Sequence, residues 1–216
     1  ASTQRQRGNT MGFYDNKILP IIIDKACSMS SIMGLREKIV PQAKGIVLEV
    51  GMGSGINLAL YNPDIIDFVW GLEPSHGMRK KAQSNLDKSP VTVKWLDLPG
   101  EEIPLDDNSV DTVLLTYTLC TIPDWQRALE QMHRVLKPNG KLLFCEHGLA
   151  ESSAVQNWQN RVTPVWKKIA GGCHLNRPIA ESITSCGFTI NKLETCYAVG
   201  VPKIAGYMYY GEAVKS

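Results

Sequence analysis

Along the chain, short blocks of consecutive aliphatics alternate with longer stretches whose apolar residues recur every three or four positions. Apolar runs at 46–50 and 68–72, an alternating segment at 91–96 and a long run at 110–119 predict strands of a buried sheet. A helix is expected to start over 56–61, and helical spacing marks 75–86. Asp124 is placed to cap another helix, in which Ala128, Leu129, Met132, Val135 and Leu136 share one face. The turn-forming Lys137-Pro138-Asn139-Gly140 ends that helix, and 141–146 is the next strand. Such alternation predicts an α/β fold: a parallel sheet with helices on both faces. Beyond Gly148 the texture changes. Residues 149–175 hold Trp158, Trp166, Pro164 and a Gly171-Gly172 pair but no strand pattern, and are read as a substrate lid inserted at the sheet's ligand edge. Asn176 is expected to cap a helix with Pro178 in its first turn and Gly187 closing it, before strands near 188–197 and 204–214.

The first strand runs into Gly51-Met52-Gly53-Ser54-Gly55. In open parallel sheets ligands bind beyond the carboxyl ends of the strands, where strand order reverses. A dinucleotide loop wants G-x-G-x-x-G, whereas this one reads G-x-G-x-G followed by Ile56 and Asn57, and no P-loop lysine is present. Glu73 ends the second strand, eighteen residues beyond Gly55, where a carboxylate accepts hydrogen bonds from ribose hydroxyls and repels a 2′-phosphate. Glu49 lies just before the loop and suits a cationic or amine-bearing ligand. The set favours a nucleoside with a positive tail over one with a phosphate tail.

Bulk properties narrow the classes. The 216 residues suit one large domain with a sizeable core. Net charge is +2, unevenly placed: seven basic residues against three acidic ones over 1–45, nine against fourteen over 46–150, and seven against four over 151–216. No clustered basic footprint of a nucleic-acid binder appears. The aliphatic cluster at 18–23 is too short to span a membrane, no signal-peptide pattern precedes it, and residues 1–10 read as a polar tail. Six scattered cysteines and four histidines form no C-x-x-C pair and no structural zinc spacing, so no metal is expected. They suggest plain burial in a reducing, cytoplasmic compartment.

"VLEVGMGSG", "GLEP", "GEEIPLDDNSVDTVLLTYTLCTIPD" and "ALEQMHRVLKPNGKLLFCEH" together resemble the class I S-adenosylmethionine-dependent methyltransferases, in the branch similar to quinone-biosynthesis methyltransferases, over about 46–147. More narrowly, "LCTIPD", "CEHG", "WQNRVTPVWKKIAGGCHLNRPI" and "PKIAGYMYYGEA" are similar to bacterial relatives of the animal methyltransferase-like thiol S-methyltransferases. The resemblance implies a three-layer Rossmann-like fold, a seven-stranded, mostly parallel sheet with its last strand antiparallel, and S-adenosyl-L-methionine as cofactor with S-adenosyl-L-homocysteine as product. Residues 1–45 would be a tail and cap-helix region, and 46–216 the methyltransferase domain. It places Glu49, Gly51, Gly53 and Gly55 around the methionine and ribose, and Glu73 with Pro74 at the ribose hydroxyls. Gly100 and Glu101 would lie beside the adenine, Thr116 near the sulfonium, and Tyr14 would close over the methionyl end. Asp97 either frames the adenine or starts a loop, with equal weight.

Methyl transfer from a sulfonium needs a base only if the acceptor must lose a proton. His147, following the fifth strand, is the candidate; a structural histidine bonded to the lid is the equally weighted alternative. Cys120, Trp158, Trp166, Cys173 and His174 are candidate acceptor-site residues. Cys120 reads more simply as a small buried filler, and Cys173 beside His174 as pocket lining, because adjacent side chains seldom face each other. His76 reads as solvated. Acceptors in contention are a small thiol, a phospholipid amine, which would bring the protein to a membrane surface, and a quinol ring carbon. Outside that class stand a nicotinamide oxidoreductase, opposed by the loop spacing, and a non-catalytic adenosyl-ligand-binding protein. Oligomeric state is not legible.

Overall fold

The computed structural model describes residues 29–216; Tyr14 and Cys27 lie outside the described residues. Helix α1 (Ser30–Ile39) and a short 3-10 turn (Val40–Gln42) lead into β1 (Gly45–Val50). After the glycine loop come a 3-10 turn (Ile56–Leu60), β2 (Ile66–Leu72), α2 (His76–Leu86), β3 (Val93–Leu96), β4 (Val110–Thr116), α3 (Trp125–Val135) and β5 (Leu136–His147). The chain ends with α4 (Ser153–Ile169), α5 (Ile179–Ser185), β6 (Phe188–Tyr197) and β7 (Tyr207–Lys215).

The seven strands are ordered β3-β2-β1-β4-β5-β7-β6. Strands β1 to β5 pair in parallel, and β7 runs antiparallel to both β5 and β6. Strand order therefore reverses between β1 and β4, and the crevice beyond their carboxyl ends is the ligand position of such sheets. Period-two alternation splits the core in two. On one face Leu48, Val50, Val113, Leu115, Leu142 and Phe144 pack against α3 and α5. On the other, Val47, Val69, Leu114, Leu143 and Cys145 meet Ile32, Leu35 and Ile39 of α1.

Several local expectations are corrected. Where a helix was expected to start over 56–61, Ile56–Leu60 forms a 3-10 turn and Tyr61 is already extended. The run 110–119 stops pairing at Thr116, because Tyr117 turns to a left-handed backbone with φ +54°. Residues 137–140 do not separate helix from strand: Leu136 is already extended and pairs with Val110, so β5 begins directly where α3 ends. Asp124 caps α3 as expected, its carboxylate accepting from the Arg127 N–H at 3.1 Å. Asn176 does not cap α5. Its amide donates to Asn160 Oδ1 at 2.8 Å, tying the preceding loop to α4, and Pro178 takes the cap position. The strandless segment 149–175 is mostly α4, which tolerates Pro164 in its interior. Gln159, fully buried, fixes that helix by accepting from Ala150 N and donating to the Gly148 and Ile204 carbonyls.

Candidate active site

The glycine loop turns by repeated left-handed steps, with φ +71° at Gly51 and +60° at Gly53. A Cβ on Gly51 would lie 2.3 Å from Thr118 Cγ2 and Oγ1, so that glycine lets β1 and the turn after β4 approach. Gly53 differs. Among the described residues, a Cβ there would meet only Met78 Cε at 3.3 Å and the Gly51 carbonyl at 3.9 Å, which leaves this face of the loop open to a ligand. Glu73, buried at the tip of β2, accepts from the Gly53 N–H at 2.9 Å and the Ser75 N–H at 2.7 Å. Those bonds fix both carboxylate oxygens yet leave each one lone pair for a further donor. Burial raises the Glu73 pKa, opposed by the two backbone N–H groups and Arg79.

Beneath the loop lies a buried polar network that sequence reading missed. Arg36 Nη1, from α1, donates to Asn57 Oδ1 at 2.7 Å and Thr116 Oγ1 at 2.8 Å. Asn57 Nδ2 donates to Glu49 Oε1 at 2.8 Å, and the Tyr61 hydroxyl to Glu49 Oε2 at 2.7 Å. Burial pushes the Glu49 carboxyl up, against hydrogen bonds from Tyr61 and Asn57 and the charge of Arg36. Glu49 and Thr116 are thus built into the floor of the crevice at the ends of β1 and β4. The only sequence signal for Asn57 was a polar residue in an otherwise apolar turn.

The turn at 117–122 carries Cys120 and is held from three directions. Glu146 Oε1 accepts from the backbone N–H groups of Thr118 and Leu119, at 2.8 and 3.1 Å. Arg177 Nη1 donates to the Leu119 and Ile122 carbonyls, and the His174 N–H to the Cys120 carbonyl at 2.9 Å. A left-handed Tyr117 is a strained choice for a bulky residue, and Arg36 stacks on its ring at 4.8 Å. Glu146 and Arg177 gave no spacing signal beyond polarity inside "LLFCEH" and "HLNRPI".

At the tip of β5, His147 Nε2 lies 3.2 Å from Cys173 Sγ. Cys120 Sγ completes a group in which the three ligating atoms all lie within 4.8 Å of one another. Cys173 therefore faces His147 from across the fold and not its neighbour His174, whose Nδ1 turns to the Cys120 carbonyl at 3.2 Å. Hydrogen bonding to Cys120, then to His147, holds the Cys173 thiol well below its ordinary pKa despite burial. Burial opposes charging of His147, but the Cys173 hydrogen bond and nearby negative charge outweigh it and raise its pKa. Burial likewise pushes the Glu146 carboxyl up to about 7. Glu146 Oε2 and His147 Nδ1 are buried with no hydrogen-bond partner among the described residues, and the Trp166 indole lies beside Cys173. Buried polar atoms left unpaired in this way mark places where water or a further group completes the hydrogen bonding.

The remaining sequence candidates separate. Gly100 is buried against Val50 and Ile122, and Glu101 accepts from the Asp124 N–H at 3.3 Å. Pro74 and His76 are exposed, and Asp97 pairs with Arg79 at 2.8 Å. Trp158 is 59% exposed on α4, away from the buried face that Gln159 and Thr163 define.

A methyltransferase-domain model matches residues 48–144. Thiol S-methyltransferase TMT1A of Homo sapiens is 30% identical over 185 residues, covering 84% of this chain and 75% of that protein. Phosphatidylethanolamine N-methyltransferase of Cereibacter sphaeroides is 30% identical over 105 residues, covering 48% of this chain and 51% of its own. The crystal structure of an S-adenosylmethionine-dependent methyltransferase from Aquifex aeolicus superposes with a TM-score of 0.62 at 21% identity, covering 91% of this chain and 98% of that one, which shows a shared fold. Among the described residues, no helix is long and apolar enough to cross a membrane.

Proposed function

This chain belongs to the class I S-adenosylmethionine-dependent methyltransferases, and from that premise we propose that it methylates the sulfur of a small thiol. The observation that carries the donor half is the Gly53–Glu73 bond beside an open loop face, which suits a nucleoside carrying ribose hydroxyls. Gly51, Gly53 and Gly55 hold the methionyl and ribose portions, Glu73 accepts from the ribose hydroxyls, and the loop at Gly100 and Glu101 flanks the adenine. Glu49 and Thr116, fixed by Asn57, Tyr61 and Arg36, form the floor beneath the methionyl group. When bound, the donor supplies an electrophilic methyl carbon and departs as a neutral thioether.

The chain's own contribution is orientation and dryness. Holding acceptor and methyl carbon in line accounts for roughly 7–11 kcal/mol of such a barrier. The segment 149–175 walls the acceptor end, with Trp166, Cys173 and His174 turned toward Cys120 and His147. A thiol must lose its proton before it attacks, and the hydrogen-bonded pair of His147 and Cys173 is placed to receive it. The thiol reading is favoured over a lipid amine because the similarity to TMT1A extends over 84% of the chain, against 48% for the lipid enzyme.

Labelled S-adenosylmethionine incubated with small thiols, ethanolamine phospholipids and quinols tests this. Label is expected in the thiols alone; transfer to a lipid amine or quinol, with none to any thiol, overturns the acceptor.

A further inference from the structure

Cys120, His147 and Cys173 are far apart in sequence and arrive from the turn after β4, the tip of β5 and the loop after α4. No sequence spacing announces them, so a motif search for zinc passes them over. We propose that these three side chains bind a zinc ion with an open fourth position, and that the acceptor thiol takes that position; the second half rests on the thiol-methyltransferase reading above.

The donor set selects the ion. Two thiolates and one imidazole suit zinc among the divalent metals, and three protein ligands with one open position is the arrangement of catalytic rather than structural sites. With Zn–S near about 2.3 Å and Zn–N near about 2.0–2.1 Å, tetrahedral ligand atoms stand about 3.6–3.8 Å apart. The three atoms here, His147 Nε2 to Cys173 Sγ at 3.2 Å and all within 4.8 Å, lie around that separation, so small side-chain rotations suffice. Charge also balances. Two thiolates neutralise the dication, so the three-ligand ion is neutral before its fourth position is filled.

The scaffold is suited to the task. Glu146, Arg177 and the His174 N–H immobilise the turn bearing Cys120, and Thr118 of the same turn donates to the Gly51 carbonyl at 3.4 Å. The turn that bears Cys120 is thereby tied to the donor loop. A zinc-bound hydroxide takes the proton of the incoming thiol and leaves as water, and the sulfur replaces it on the ion. In the transfer the acceptor sulfur–carbon bond forms as the donor's sulfonium–carbon bond breaks, and the electron pair stays on the departing thioether. The methylated product, now neutral, coordinates weakly and dissociates. In the zinc-loaded protein the ion takes over the stabilisation of the acceptor thiolate, and His147 is its ligand.

The test uses the full chain, reduced with a phosphine, stripped by a chelator and titrated with cobalt(II) as a spectroscopic substitute. Stoichiometric binding is expected, with thiolate-to-cobalt charge transfer and the intense visible bands of a tetrahedral ion. Cys120→Ser and Cys173→Ser are expected to lose those bands and weaken binding by more than about a hundredfold, while Cys186→Ser keeps them. Where the serine at buried position 120 impairs folding, Cys120→Ala replaces it. Absent bands, or bands that survive both substitutions, overturn the site. A small thiol is expected to shift the visible bands and its S-methyl product to leave them unmoved; bands indifferent to the thiol overturn its coordination. Methylation confined to a non-thiol acceptor, with the cobalt site intact, overturns the acceptor reading alone.

Discussion

Gly53→Arg separates folding from donor recognition. Gly53 sits at φ +60°, where any other residue costs about 1–2 kcal/mol. For a chain of this size each kcal/mol lowers Tm by roughly 2–4 °C, so the variant is expected to melt about 2–8 °C below the parent and remain folded at 25 °C. Its side chain leaves the loop on the open face, past Met78 Cε, into the space that the ribose needs. Affinity for S-adenosylhomocysteine is expected to fall by more than a hundredfold, about 2.8 kcal/mol or more. Gly45→Ala is the control. It has the same backbone handedness, φ +64°, and a harsher clash, 2.6 Å from Asp111 Oδ2, but lies at the opposite end of β1. Calorimetric titration should find it less stable yet unchanged in affinity. A folded Gly53→Arg protein that binds S-adenosylhomocysteine like the parent refutes the placement of the donor.

Other perturbations probe the floor and the acceptor end. Arg36→Met strips two charged hydrogen bonds from Asn57 and Thr116; a loss of about 2–3 kcal/mol, or roughly 4–12 °C in Tm, is expected by calorimetry. Glu49 has a raised pKa in the fold because burial disfavours its charge, so the folded form holds that proton more tightly than the unfolded chain. Ligand-free stability should therefore decline as pH rises from the ordinary carboxyl value of 4.5 through the raised pKa, and Glu49→Gln should flatten that decline; identical Tm–pH curves for parent and variant exclude it. His147→Ala should lower turnover with thiols while affinity for S-adenosylhomocysteine stays nearly intact, and full activity across neutral pH removes His147 from the reaction. Trp158→Ser, at an exposed position, should shift stability by less than about 0.5 kcal/mol and leave turnover alone, in contrast to Trp166→Ala.

Elements with a strong period were legible from the chain. The strands at 46–50 and 188–197, the helix after Asp124 and the antiparallel last strand lie where apolar patterning or the family resemblance put them. Places where tertiary partners outvote local preference were not. Leu136 continues the apolar face of α3 in sequence, yet its partner Val110 draws it into β5. Helix α4 was hidden because Pro164 and a mixed surface blur its period, while the buried Gln159 that anchors it reads as solvent-facing. The donor loop and Glu73 were visible because both lie within one short stretch, from the end of β1 to the tip of β2. The Cys120–His147–Cys173 group was invisible as a unit because three separate elements must fold before its atoms meet. Cys173 was instead read against its neighbour His174, which the chain turns elsewhere.

Strand β7 follows β6 in the chain but lies between β5 and β6 in the sheet. During synthesis, β5 therefore lacks its partner along the side that includes His147 until β7 is made, because β7 and not β6 pairs with it. Such an edge is a template for pairing with other nascent chains until its own partner arrives. Overcrowded expression should accordingly yield aggregates seeded through β5, and a substitution that delays β7 should reduce recovery from the cell more than it reduces the stability of molecules that do mature.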